Sequence, residues 1–301
     1  MEDRDLDFML ERSPVLESLF IMGFQSGLRL RLVNHSIRCI QLGFSFAEDI
    51  DVVDAPSLER LFQFAELTDS PKMNNGRSTR KRSSMIKIGS APKLRVLGYL
   101  KPGEQELAGS KENIVPSVQI LGIEVQFGVR NAVKKVPGFL RCFPNLETLH
   151  VHSHPISEES TGKVNVKFWQ DGGPIKCILQ SMKKVFFYEF RGSRSEAAFL
   201  KFVAEKARVL EQMVVVVAIE CFSLGDDNVR VKLKPLTSAK WNSKACRLEL
   251  FKSPVTDGSG HAYNHELASD FEFADPFDLK YYKRAERISA VYYMMWLFVP
   301  N

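Results

Sequence analysis

Phe143-Pro144-Asn145-Leu146-Glu147-Thr148-Leu149 is one of four spellings of a single phrase. The others are Ser13-Pro14-Val15-Leu16-Glu17-Ser18-Leu19, Ala55-Pro56-Ser57-Leu58-Glu59-Arg60-Leu61 and Ala91-Pro92-Lys93-Leu94-Arg95-Val96-Leu97. Keeping only the apolar frame, apolar-x-x-apolar-x-apolar, recovers four more copies. These are Ile37, Ile40 and Leu42; Val118, Leu121 and Ile123; Met182, Val185 and Phe187; and Leu210, Met213 and Val215. The eight frames start at 16, 37, 58, 94, 118, 146, 182 and 210, at intervals of 21, 21, 36, 24, 28, 36 and 28 residues.

A phrase returning at such intervals marks a stacked repeat, and the shorter ones fall in the span of about 20–29 residues typical of leucine-rich repeats. The closing apolar-x-apolar of each frame has the period of two that puts both side chains on one face of a short strand. One strand cannot bury that face alone, so successive units stack. The expected fold class is therefore α/β, an irregular leucine-rich-repeat solenoid with a stacked parallel β-sheet and a helical or irregular outer face. The third unit is imperfect: Leu58 and Leu61 are followed by Gln63, flanked by Phe62 and Phe64, which predicts a shifted or bulged strand. The asparagine that many such repeats carry after the strand is missing, so the units are degenerate.

Length and 45% hydrophobic residues suffice for a packed core. Five cysteines, an odd number without C-x-x-C spacing, and no secretory signal point to an intracellular compartment, cytoplasm or nucleus. A net charge of +5 with acids and bases nearly balanced is too mild to imply nucleic acid. No segment reaches the roughly 18 apolar residues of a membrane span; residues 288–299 come nearest and read as a terminal strand, helix or tail.

The apolar pattern stops over residues 68–84, where Arg77-Ser78-Thr79-Arg80-Lys81-Arg82 reads as part of a solvated insertion rather than an import signal or phosphate patch. Further polar insertions span 101–113 and 153–173. From Ser193 the period becomes helical, with Phe199, Phe202, Val203, Ala207 and Leu210 on one face and a capping-box spacing of Ser193 to Glu196. The run Met213-Val214-Val215-Val216-Val217 follows as a buried parallel strand. Beyond Glu220, Val229-Arg230-Val231-Lys232-Leu233 and Cys246-Arg247-Leu248-Glu249-Leu250 alternate like strands of a terminal cap.

Pro174-Ile175-Lys176-Cys177-Ile178, Met182-Lys183-Lys184-Val185, Arg191-Gly192, Phe199-Leu200-Lys201-Phe202 and Ala207-Arg208-Val209-Leu210-Glu211-Gln212-Met213 together resemble the FBD domain of plant F-box proteins. In that family the domain follows irregular leucine-rich repeats with phrases similar to Ser13-Pro14-Val15-Leu16-Glu17 and Phe143-Pro144-Asn145-Leu146-Glu147. The resemblance covers roughly residues 5–280. It implies irregular repeats over 1–170, an FBD-like segment over 171–217 and a capping region over 218–301. It also implies a non-catalytic protein-recognition module, similar to the substrate-binding part of a ubiquitin-ligase receptor. Nothing in the sequence resembles the F-box that docks a Skp-type adaptor, so that adaptor is expected as a partner only of a longer form. The remaining alternative is a regulatory decoy that occupies a receptor's target.

Catalytic chemistry is poorly represented. His150, His152 and His154 alternate along one strand face, nearly 7 Å apart by a rise of about 3.3 Å per residue, too far apart to share one zinc comfortably. His261 and His265 have helical zinc-ligand spacing, but Ala262 stands where a zinc protease has its glutamate, which disfavours a metal-dependent hydrolase. Asp226, Asp227, Asp270, Asp275 and Asp278 read as turn and surface residues. No cofactor, metal, nucleic-acid or membrane partner is expected. The expected partner is an unidentified target protein, contacted on the concave side by Gln41, Glu124, His150, His152, Phe186 and Tyr188. For Phe186 and Tyr188, packing under the FBD-like helix is the competing reading.

Overall fold

Each of the eight apolar frames becomes a strand, and the eight lie side by side in one sheet. The computed structural model describes residues 3–23, 27–43, 47–64, 84–109, 114–154, 164–223, 226–253, 265–278 and 286–287. In chain order the first part holds α1 (Asp3–Glu11), β1 (Ser18–Met22), β2 (Leu28–Val33), β3 (Cys39–Gly43), β4 (Ala47–Asp54), β5 (Arg60–Phe64), β6 (Ser84–Ser90), β7 (Val96–Leu100), β8 (Gln105–Gly109) and β9 (Ile120–Val125). The second holds α2 (Arg130–Arg141), β10 (Thr148–Ser153), α3 (Val166–Asp171), α4 (Lys176–Gln180), β11 (Lys184–Phe190), α5 (Arg194–Lys206), β12 (Gln212–Val217), a 3-10 turn (Ile219–Phe222), α6 (Asp226–Thr237), β13 (Arg247–Lys252), α7 (His265–Ser269) and β14 (Glu286–Arg287).

The larger sheet runs β1-β3-β5-β7-β9-β10-β11-β12-β13-β14, parallel throughout except for the last pair. Its register aligns the frames: Leu19 faces Ile40, Ile40 faces Leu61, Leu61 faces Leu97, and Leu97 faces Leu121. Leu149 continues the row opposite Leu121 and Val185, and Val185 faces Met213. The phrase small-Pro-x-Leu is a turn closed by Leu58 N–H to Ala55 O, Leu94 to Ala91 and Leu146 to Phe143. Proline, with φ already near −65°, occupies the second position that this turn favours. Each turn then clips to the one before it. The Glu17 carbonyl accepts from the N–H groups of Arg38 and Cys39, Arg38 from Glu59 and Arg60, Glu59 from Arg95 and Val96, and so on through Lys183. The repeated phrase thus sets both the corner and the register.

The layer behind this sheet differs from the expected helical or irregular face. Across the first four turns it is a second parallel sheet, β2-β4-β6-β8. Its strands alternate: Leu28, Leu30 and Leu32 are buried while Arg29, Arg31 and Val33 are exposed, a pattern that fills the space between the sheets and wets the outside. From β9 onward helices take over, with Val133, Val136 and Leu140 of α2 and Phe199, Leu200 and Val203 of α5 packing into the same core. Fully burying such side chains contributes about 1.5–3 kcal/mol each. Neither sheet closes into a barrel.

Four local expectations change. β5 is neither shifted nor bulged: Gln63 sits opposite Leu42 in register, and its buried amide oxygen accepts from Gln105 Nε2 at 2.7 Å, which removes the penalty of an unpaired polar group. The irregularity lies one turn later, between Leu97 and Leu100, where Leu100 instead of Tyr99 takes the core position opposite Ile123. The insertions at 101–113 and 153–173 contain β8 and α3. Residues 229–233 are helical, because Val229, Leu233 and Leu236 are buried at i, i+4 and i+7 within α6. Residues 77–82 and 288–299 lie outside the described residues.

Candidate recognition surface

Alternation along the ten-stranded sheet leaves a second, far face made by the residues between the core positions. In register across it stand Gln41 beside Phe62, Gly122 beside His150, His150 beside Phe186, and both Glu124 and Tyr188 beside His152. This face holds all six residues expected to meet a partner, but it does not hold them open to water. None of Gln41, Glu124, His150, His152, Phe186 and Tyr188 is more than 4% exposed. His150 and His152, expected to meet a partner, are enclosed.

Much of the cover comes from residues 265–278, α7 and the chain after it. Arg60, buried at the start of β5, donates from Nη1 to the carbonyls of Leu267 (3.2 Å), Ala268 (2.9 Å) and Asp270 (3.0 Å), and from Nη2 to that of Phe273 (2.5 Å). Its five fixed donors suit it to hold a backbone, whatever side chains that backbone carries. Burial lowers its pKa, opposed by Cys39, Glu59 and Asp270. The Phe271 ring lies 3.7 Å under the Arg38 guanidinium and 4.9 Å from that of Arg60, a cation–π arrangement. Cys39 Sγ donates to Ala268 O at 3.4 Å, and burial pushes this thiol up to about 12, leaving it inert at neutral pH.

Further along, Phe277 enters a pocket in the face. Its ring centroid lies 4.8 Å from Tyr99, 5.2 Å from His150 and 5.5 Å from Phe62. Gly122 forms the floor, and a Cβ there would stand 3.1 Å from the Tyr99 ring and 3.4 Å from that of Phe277, so a side chain would close the pocket. Beside it, Asp275 Oδ2 lies 3.0 Å from His150 Nε2, His150 Nδ1 lies 3.0 Å from Tyr188 Oη, and Tyr188 donates to the Phe277 carbonyl at 3.0 Å. The carboxylate can only accept, so His150 Nε2 donates to Asp275, and the Tyr188 hydroxyl links the other side of the ring to the Phe277 backbone. Burial pushes the Asp275 carboxyl up, but the charge and hydrogen bond of His150 outweigh it, and its pKa falls below the ordinary value.

The histidines do not converge on one point: His154 Nε2 pairs with Glu124 Oε2 at 2.9 Å, His150 belongs to Asp275 and Tyr188, and the His152 ring meets that of His154 edge to face at 5.5 Å. Among the described residues no group of three or more His, Cys, Asp or Glu side chains is placed to hold a metal, and no helix is long and apolar enough to cross a membrane. His261 and the His265 side chain lie outside the described residues.

The FBD-like segment has its own polar knot at the end of β11. Arg191 donates to the Ser153 carbonyl (2.8 Å) and the Glu220 carboxylate (2.6 Å), while buried Glu196 accepts from Ser153 Oγ (2.6 Å) and closes the capping box with Ser193. It ties α5 to the strands and offers no reactive group. Sequence reasoning missed Arg60, Phe271 and Phe277, and placed Asp275 at the surface. One signal was present: the strand position that is Cys39 and Val96 in neighbouring turns is an arginine in the third.

Residues 1–151 match the family described as FBD-associated F-box protein At5g56370, LRR repeats, and residues 170–215 match the FBD family. Neither match is to an F-box or to a catalytic family. No curated protein and no solved structure matches the chain.

Proposed function

We propose that this chain, which belongs to the family of FBD-associated F-box leucine-rich-repeat proteins, serves as the target-recognition part of a ubiquitin-ligase receptor. Its paired sheets and outer helices are turns of an irregular solenoid, with repeats over 1–170, the FBD-like segment over 171–217 and a capping region to 301. The far face of the long sheet is the concave recognition side, and its partner is a protein. The observation that carries this is the contrast between rows. The core row is Leu19, Ile40, Leu61, Leu97, Leu121, Leu149, Val185 and Met213, apolar throughout, whereas the far face mixes Arg60, Gly122, Glu124, His150, Phe186 and Tyr188. A frame kept for packing beside a face free to vary is how repeat proteins carry specificity.

The test is affinity capture from plant extract, read by mass spectrometry, with the wild-type chain, the far-face variants Phe186→Ala and Tyr188→Ala, and the outer-sheet variant Arg31→Glu. Circular dichroism would show that each is folded. Proteins retained by wild type and Arg31→Glu but lost with the far-face variants support the proposal; loss with Arg31→Glu alone would move recognition to the opposite side. A purified Skp-type adaptor is not expected to be retained by residues 1–301, which would recognise a target without coupling it to the ligase.

A further inference from the structure

Residues 265–278 cover the far face without belonging to its sheet. None of them pairs in either strand ladder, and the hydrophobic cluster they make with Cys39, Phe62, Val96, Tyr99 and Ile120 is separate from the main core. The segment carries five acidic residues, Glu266, Asp270, Glu272, Asp275 and Asp278, and no lysine or arginine. Opposite it stand Arg38, Arg60 and His150. Buried charges that only hold a cover in place are a poor way to gain stability, since apolar packing of the same volume does at least as well. They are a good way to recognise a particular chain: four backbone carbonyls held by one arginine, a carboxylate held by His150, and an aromatic ring two residues later in the pocket over Gly122.

We propose that the far face is a groove for an acidic peptide with an Asp-x-Phe element, that residues 265–278 are its intramolecular stand-in, and that a target segment of the same chemistry displaces them. This rests on the reading of the far face as the recognition side and adds the partner's chemistry. The groove's donors contact carbonyls, a carboxylate and a ring, all of which another chain can supply. The stand-in keeps the face covered until such a chain arrives, at the cost of lowering apparent affinity by the fraction of molecules in the covered state.

The probe is a fluorescein-labelled peptide with the sequence of residues 265–278, titrated by anisotropy into the whole chain. Phe277→Ala, and independently Asp275→Arg, which removes the carboxylate held by His150, release the segment while leaving the groove residues unchanged. Alkylation of Cys39 reports the release. The released variants are expected to bind the peptide at least about tenfold more tightly than wild type. Adding Arg60→Ala, or replacing the phenylalanine of the peptide by alanine, is expected to weaken binding at least about tenfold. A released chain with reactive Cys39 that fails to bind the peptide would overturn the proposal and leave the far face standing as the recognition side, whose own test is target capture. Cys39 as unreactive in both variants as in wild type, or equal peptide binding by wild type, would overturn it as well.

Discussion

The two faces of the ten-stranded sheet are made by the same strands and from β3 to β12 both are largely buried, yet they are buried by different means. On the core face, Leu121 meets Leu97 and Leu149 in register, and the opposing layer arrives from within the same or the next turn of chain. On the far face, Arg60 meets carbonyls more than 200 residues away, and His150 meets Asp275 at a separation of 125. The core face is local and apolar; the far face is long-range and rich in polar and aromatic contacts. The difference teaches that one face is closed by its neighbouring turns and the other by a segment from far along the chain.

The largest expected effect falls on the core face. Leu149→Ala removes a fully buried side chain from the central row and should cost about 2–5 kcal/mol, read by urea denaturation. A loss below about 1 kcal/mol would mean that the row is not the packed ladder described. Next comes Arg60→Ala, which leaves four carbonyls without their cation and should cost about 1.5–3 kcal/mol. Amide exchange should place that loss in residues 265–278 and spare β10; a uniform loss across both faces would erase the distinction between them.

A smaller effect depends on pH. Because the folded pKa of Asp275 lies below its unfolded value, its contact with His150 contributes stability that is fully present above about pH 4 and is lost as pH falls through the depressed folded value. Thermal melts of wild type and Asp275→Asn should therefore differ at neutral pH and converge in acid; a gap unchanged at pH 2–3, well below the ordinary carboxylate value of about 3.9, would contradict the pairing. The smallest effect belongs to the sheet's rim, where Lys183 pairs with Glu147 at 3.0 Å with both side chains over 40% exposed. Lys183→Ala should shift stability by no more than about 0.5 kcal/mol in denaturant titration.

The core face was legible because packing there repeats: eight frames predict eight strands, and Cys246-Arg247-Leu248-Glu249-Leu250 supplies the next. The second sheet was legible in principle, since Leu28-Arg29-Leu30-Arg31-Leu32 alternates cleanly, but the proline-marked phrase drew attention to one strand per turn. β8 was hidden for a physical reason: Leu107 is its one buried large apolar side chain, and Gln105 is spent on Gln63. Residues 229–233 misled because Val-Arg-Val-Lys-Leu satisfies a period of two while its neighbours complete a helical stripe. The far face was legible only as a set of positions. That Gln41, His150 and Tyr188 lie under cover depends on where Arg60, Asp275 and Phe277 meet, which no local periodicity encodes.

The cover itself is tested most directly by the alkylation rate of Cys39 measured against Cys177 in the native chain and in Phe277→Ala. Both thiols are buried, with pKa values raised to about 12 by that burial, but Cys39 lies under Ala268 on the far face and Cys177 lies in the core. The prediction is slow reaction of both in the wild type and, in the variant, acceleration of Cys39 by at least about tenfold with Cys177 unchanged. Rapid reaction of Cys39 in the wild type, or equal acceleration of both thiols in the variant, would contradict it.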